Sequence, residues 1–308
     1  MPIARKHLIR PETIDRIFKI LTLAGVLPAM LLILGFFVQL SCNAWPAFRE
    51  FGLGFIFSTE WDPVMNSYGA LPAITGTLIT TLIALVIAVP LSFVTALFLV
   101  EARGWIGELL SYGVDLLAAI PSIIYGLWGL FFLVPFMQIH VQPHLEWIPF
   151  MGRNYNGFGF ATAGFILAVM ILPFICAIMR DVFRMTPPML KEAAYGCGTT
   201  RWETTVDVTM RYGARGLLGG VFLGLGRAAG ETMAVLFVIG NTPEIPKALF
   251  DSGTTISATL ASNFAEANGV FRNVLFALGL ILLLMSLGIQ ILAQWWLNYS
   301  TRKVEGAK

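Results

Sequence analysis

The chain has 308 residues, of which 57% are hydrophobic and only 12% charged, with a formal net charge of +2. Soluble domains carry about twice that charge fraction, and a mean hydropathy of +0.77 is more apolar surface than one buried core takes up, which excludes a soluble globular protein. The small positive balance does not suggest nucleic acid as a partner, and the scattered Cys42, Cys176 and Cys197 follow no disulfide or metal-ligand spacing. What remains is an all-α integral membrane protein whose one domain is a helical bundle.

A helix needs about 20 apolar residues to cross the hydrocarbon, and six runs qualify. Residues 1–19 form a tail with Arg5, Lys6, Arg10, Arg16 and Lys19. The first run, Ile20–Leu40, is too long for a signal-peptide core and has no small-residue cleavage site behind it. It is expected to stay as the first helix. Residues 41–72 carry Trp45, Phe48, Phe51, Phe55, Phe57, Trp61 and Tyr68. They suit an interfacial aromatic belt or a short helix on the outer leaflet, and equally a docking surface for an external partner.

The core follows over 73–297, with runs Ala73–Val100, Leu116–Met137, Phe158–Met179, Leu217–Gly240 and Val274–Leu297, and a tail over 298–308. Pro28, Pro90, Pro121, Pro135 and Pro173 interrupt these runs, which a bundle tolerates because neighbours satisfy the freed carbonyls. Of the twenty Lys and Arg, fifteen fall in the two tails and the second and fourth connections. Only Arg49, Arg153, Lys247 and Arg272 fall on the opposite side. The positive-inside rule therefore puts both termini in the cytoplasm.

The fourth connection, Arg180–Gly216, is the longest cytoplasmic one, with the loop 185–212 at its centre. Pro187 and Pro188 suit the first turn of a short helix, Gly196 and Gly198 break it, and a second helix is expected over Arg201–Met210. This loop has no histidine, no serine nucleophile and no metal-ligand set, and the chain itself is expected to bind no cofactor.

The fifth run, LLGGVFLGLGRAAGETMAVLFVIG, carries Arg227 and Glu231. Arg227 lies ten residues in, roughly 15 Å along a helix and near mid-bilayer. An arginine there costs roughly 3 kcal/mol on insertion scales. In a continuous helix Glu231, at i+4, shares its face and reaches it. Two readings stay open. The pair neutralises itself and locks this helix to a neighbour, or Arg227 lines a path for a small anion with Glu231 tempering it. Thr232, and Thr75, Thr77, Thr80 and Thr81 on the second run, would add hydroxyl donors unless they bond back to helix carbonyls. Gly220/Gly224 and Gly226/Gly230 have the spacing that lets a second helix come close.

Glu192-Ala193-Ala194, three residues, Gly198, nine residues, then Val208 resembles the EAA loop of ABC-transporter permeases, E-A-A-x3-G-x9-I-x-L-P. Val208 and Met210 replace the Ile and Leu, and Arg211 stands where Pro is usual. The segments LAAIPSIIYGLWGL (117–130), GLGRAAGETMAV (224–235) and much of 51–99 resemble the PstC-type permeases of phosphate ABC importers.

The resemblance implies a type I, MetI-like permease fold with six transmembrane helices, in the bacterial inner membrane. It implies transport of phosphate without catalysis by this chain, with Glu192, Ala193, Ala194 and Gly198 seating on an ATPase. The implied partners are a homologous second permease subunit, a cytoplasmic ATPase dimer that carries ATP and Mg, and a periplasmic or lipid-anchored phosphate-binding protein. The residues themselves reach only a small anion. Sulfate or molybdate, a secondary transporter, and a scaffold that only assembles other subunits are the competing readings.

Overall fold

The computed structural model describes residues 11–102 and 104–305, and side chains over 15–102 and 104–295. Arg5, Lys6, Arg10, Arg103 and Lys308, and the side chains of Arg302 and Lys303, lie outside those residues, with most of what orients the two tails.

Helix α1, Pro11–Phe51, at about 60 Å is twice the hydrocarbon thickness. One helical turn, α2 (Gly54–Phe57), and a two-stranded antiparallel hairpin, β1 (Trp61–Asp62) and β2 (Ser67–Tyr68), follow it. Helix α3 runs Leu71–Glu101. Next come α4 (Trp105–Ala119) and α5 (Ser122–Leu145), then α6 (Phe160–Arg184) and the short α7 (Pro188–Gly196). Helix α8 spans residues 201–229 and includes a wide π-helical stretch at Thr204–Met210. Two short helices, α9 (Met233–Leu236) and α10 (Ile256–Asn263), precede the long α11 (Gly269–Glu305).

Among the described residues five helices are long and apolar enough to span a membrane: 15–51, 71–101, 122–145, 160–184 and 269–295. Two of the expected runs come out differently. Leu116–Met137 is broken at Ile120–Pro121, because proline bars the α conformation from the residue before it. Leu217–Gly240 is no single helix: α8 ends at Ala229, and Gly230, Glu231 and Thr232 form a break. Within 41–72 the aromatic residues fall on the end of α1, on α2 and on the hairpin. Phe51, Trp61, Tyr68 and Phe271 pack edge-to-face and stacked at centroid distances of 5.4–6.1 Å, capping the N-terminal end of α11. Trp45 and Phe57 stay exposed.

The core is built on α3 against α6, the most extensive helix pair. Ala84, Ala88, Ser92 and Ala96 are fully buried on α3 at every fourth position. Small residues at that spacing let two backbones approach, which is how helices gain van der Waals contact where lipid removes the hydrophobic drive. Ser92 Oγ donates to Leu172 O on α6 at 2.9 Å, bridging the pair.

The chain between α9 and α10 folds back over the N-terminal ends of α6 and α3. Gly159 N–H donates to Val238 O (3.2 Å), Ala161 N–H to Leu249 O (2.9 Å) and Ile256 N–H to Thr77 Oγ1 (3.0 Å). Gly76 sits under this seat: a Cβ there would lie 1.9 Å from the Thr254 carbonyl oxygen. Gly76→Ala is therefore expected to destabilise the bundle by about 3 kcal/mol, since backbone has to shift. The thermal midpoint in detergent checks it. Gly219→Ala, with nothing within 4 Å of a Cβ, should leave the midpoint in place.

Candidate functional site

The break after Ala229 sets the geometry around Arg227. Glycine is a poor helix former, and α8 carries Gly219, Gly220, Gly224 and Gly226 before Gly230 caps its end through Gly230 N–H to Gly226 O (3.3 Å). With the helix ended, Glu231 no longer stands one turn above Arg227. Its carboxylate turns forward and accepts Ala234 N–H at 3.4 Å, capping α9. The expected Arg227–Glu231 ion pair is therefore not formed, and mutual neutralisation does not describe this structure. The Arg227 guanidinium instead lies over the Phe174 ring of α6, 5.2 Å from its centroid. This cation–π contact partly repays desolvation. Thr232 bonds only weakly, to Gly230 O at 3.4 Å. It lines a mostly apolar cavity of about 660 Å³ beside the break, between α10, α11 and the C-terminal half of α1.

The glycines of α8 divide by what they meet. Gly213 and Gly216 face Val182, Gly220 faces Ile178 and Gly224 faces Ile175, all on α6. That is the close approach expected of Gly220 and Gly224. Gly226 faces a different helix, with Gln290 of α11 2.7 Å from where its Cβ would be. Gly230 is exposed at the break and packs no helix. Thr75, Thr77 and Thr80 bond back to the carbonyls of Leu71, Ala73 and Gly76 at 2.8–2.9 Å, as the structural reading of those threonines has it. Thr81 Oγ1 is buried without a hydrogen-bond partner among the described residues.

On the loop 185–212, α7 starts at Pro188 as its prolines predict and stops at Gly196. Gly198 takes φ +85°, a left-handed conformation that costs other residues about 1–2 kcal/mol. Its N–H closes on Tyr195 O at 2.9 Å. Glu192 and Ala193 are exposed and Ala194 is half-buried, while Met189 and Trp202 leave apolar surface beside them. Helix α8 opens with a capping box. Thr200 N–H and hydroxyl donate to the Glu203 carboxylate at 2.7 and 2.8 Å, and Glu203 N–H donates to Thr200 Oγ1 at 3.3 Å. These donors hold the Glu203 carboxyl below its ordinary range. Met210 packs against the main core, and Arg211 pairs with Asp207 at 2.9 Å. Among the described residues no group of three His, Cys, Asp or Glu could hold a metal.

One charged contact escaped the sequence. Arg180, counted there among loop cations, has a side chain only 9% exposed. Its guanidinium meets both carboxylate oxygens of Asp115 on α4, at 3.1 and 3.2 Å, and Ser111 Oγ at 2.5 Å. The available signal was that Ser111 and Asp115 share a helix face at i,i+4, just ahead of an apolar run.

Residues 88–306 match the family described as binding-protein-dependent transport system inner membrane component. The chain is 45% identical over 292 residues to the phosphate transport system permease protein PstC of Pasteurella multocida, covering 92% of this chain and 91% of that one. It is 47% identical over 294 residues to PstC of Mesorhizobium japonicum, covering 92% and 90%. Among solved structures it superposes with a bacterial alginate ABC transporter, in complex with an alginate-bound periplasmic protein, at a TM-score of 0.59 and 17% identity, over 95% of this chain and 97% of that one. The inward-facing MetNI methionine ABC transporter follows at 0.52 and 17%, over 80% and 99%.

Proposed function

The chain belongs to the binding-protein-dependent transport system inner membrane component family, and from that membership we propose that it is the permease subunit of an ATP-driven importer carrying inorganic phosphate across the bacterial inner membrane. The observation that carries this is the identity to PstC permeases along nine-tenths of the chain. No G-x4-G-K-[ST] sequence occurs, so the chain lacks the loop that cradles nucleotide phosphates, and the energy comes from a partner ATPase. Helix α7 is the contact for that partner. Glu192 and Ala193 point to solvent and the small alanines allow a groove to close on them. A homologous second permease and an external phosphate-binding protein complete the assembly.

Arg227 acts on the substrate. A phosphate anion entering low dielectric loses hydration, and a fixed cation offsets that loss more strongly there than in water. With Glu231 turned to α9, the Arg227 guanidinium lies against an aromatic face. A ring quadrupole attracts a cation weakly, so an arriving anion displaces little. Weak, transient holding is what conduction requires. Thr232 offers a hydroxyl at the same break.

The test is affinity purification of the chain with its partners, then reconstitution in vesicles loaded with ATP or subjected to a proton gradient. Phosphate uptake driven by ATP, with a nucleotide-binding subunit co-purifying, is expected. Uptake driven by the proton gradient alone would establish a secondary transporter.

A further inference from the structure

The Arg180 contact sits where the importer reading needs a connection. Arg180 lies on α6, eight residues before α7 begins at Pro188. Its partners Ser111 and Asp115 lie on α4. Across the Ile120–Pro121 break, α4 is tied to α5 by Tyr125 Oη, which donates to Leu117 O at 2.8 Å. One residue on, Gly126 meets α9, with Met233 O and Ala234 Cα 3.0 and 3.1 Å from where its Cβ would lie. Helix α9 begins just after the break, which opens three residues beyond Arg227, and is capped by Glu231. A set of contacts therefore runs from the end of α6, which leads into α7, through α4 and α5 to α9.

The pair is also built to exchange. Arg180 is buried, but the side chains of its two carboxylate partners are not: Asp115 is 46% exposed and Asp181 67%. Asp181, next in sequence on α6, already lies 3.6 Å from Arg180 Nε, and among the described residues that nitrogen has no hydrogen-bond partner. If α4 separates from α6, Asp115 returns to water and Arg180 keeps a counter-charge on its own helix. Neither state leaves a buried charge without a partner, the condition that makes opening a buried pair costly.

We propose that Arg180 is a positioning residue that exchanges between Asp115 and Asp181, and so passes movement of α7 through α4 and α5 to the Arg227 break. This rests on the importer reading. The test uses the complete reconstituted complex, comparing wild type, Asp115→Asn and Asp115→Glu for labelled phosphate taken up per ATP hydrolysed. Asp115→Asn keeps a hydrogen-bonding side chain of the same shape but removes the charge. Its phosphate-to-ATP ratio is expected to fall about tenfold with the amount of assembled complex unchanged, and Asp115→Glu to recover most of the ratio. A wild-type ratio in Asp115→Asn, or uptake and ATP hydrolysis falling together in proportion to folded complex, overturns the relay. Absence of ATP-driven phosphate uptake in the wild-type complex would instead overturn the importer reading itself.

Discussion

Arg227→Gln is expected to lower phosphate uptake by the reconstituted complex about 100-fold, the loss seen when a preorganised group facing a developing or desolvated anion is removed. Assembly should be unaffected. Glutamine keeps most of the side-chain length, and what the fold loses is one cation–π contact over Phe174, about 0.5–2 kcal/mol. That loss is offset because a half-buried charge no longer has to be desolvated. Since Arg227 and Glu231 do not pair, Glu231 is not left without a counter-charge by the change. This separates the path reading from the lock reading. A locking cation would lose complex in step with activity, whereas a path cation loses activity alone. Arg227→Lys keeps the charge but not the planar fork that matches an oxyanion, and should fall between wild type and Gln. Uptake near wild type in Arg227→Gln, at equal complex, would remove Arg227 from the path.

The second large effect is expected at the coupling loop. Glu192 is exposed, so Glu192→Lys should change the stability of the isolated chain by no more than about 0.5 kcal/mol. In the complex it reverses a charge at the centre of the proposed ATPase contact, where a single truncated anchor costs 2 kcal/mol or more by typical interface scans. The ATPase should release during purification, or turn over ATP without uptake. Gly198→Val tests the same surface by another route. A Cβ at Gly198 meets nothing within 4 Å, so the strain comes only from φ +85°, and it falls on the turn that orients α7 against α8. Co-purification and substrate-stimulated ATP hydrolysis are the readouts. Wild-type values for both substitutions would remove this loop from the coupling role.

The parts legible in the sequence are those encoded locally. Pro188 and Gly196 bound α7 because proline suits a first turn and glycine a last one, whatever surrounds them. Gly220 and Gly224 meet α6 because a four-residue spacing of small residues marks one helix face. The break at Gly230 was not legible: GLGRAAGETMAV is as apolar whether or not the helix continues, and what ends it is the seat of α9 on Gly126 and of 238–255 on α3 and α6. The same blindness produced the Arg227–Glu231 pair, which presumes an unbroken helix. Arg180 was misplaced for a related reason. Its burial depends on α4 lying across the C-terminal end of α6, a contact between residues 65 apart in sequence. Pro121 lay between these outcomes. It announced an interruption, but not that α4 and α5 would be separate helices.

Phosphate as the cargo is the claim on which the rest depends. It is tested most directly by uptake of labelled phosphate and labelled sulfate into vesicles holding the complete complex and its external binding protein, with and without ATP inside the ATPase-facing compartment. ATP-dependent accumulation of phosphate, undiminished by excess sulfate and lost in Arg227→Gln, is the predicted result. Preferential accumulation of sulfate, or phosphate uptake indifferent to ATP, would contradict it.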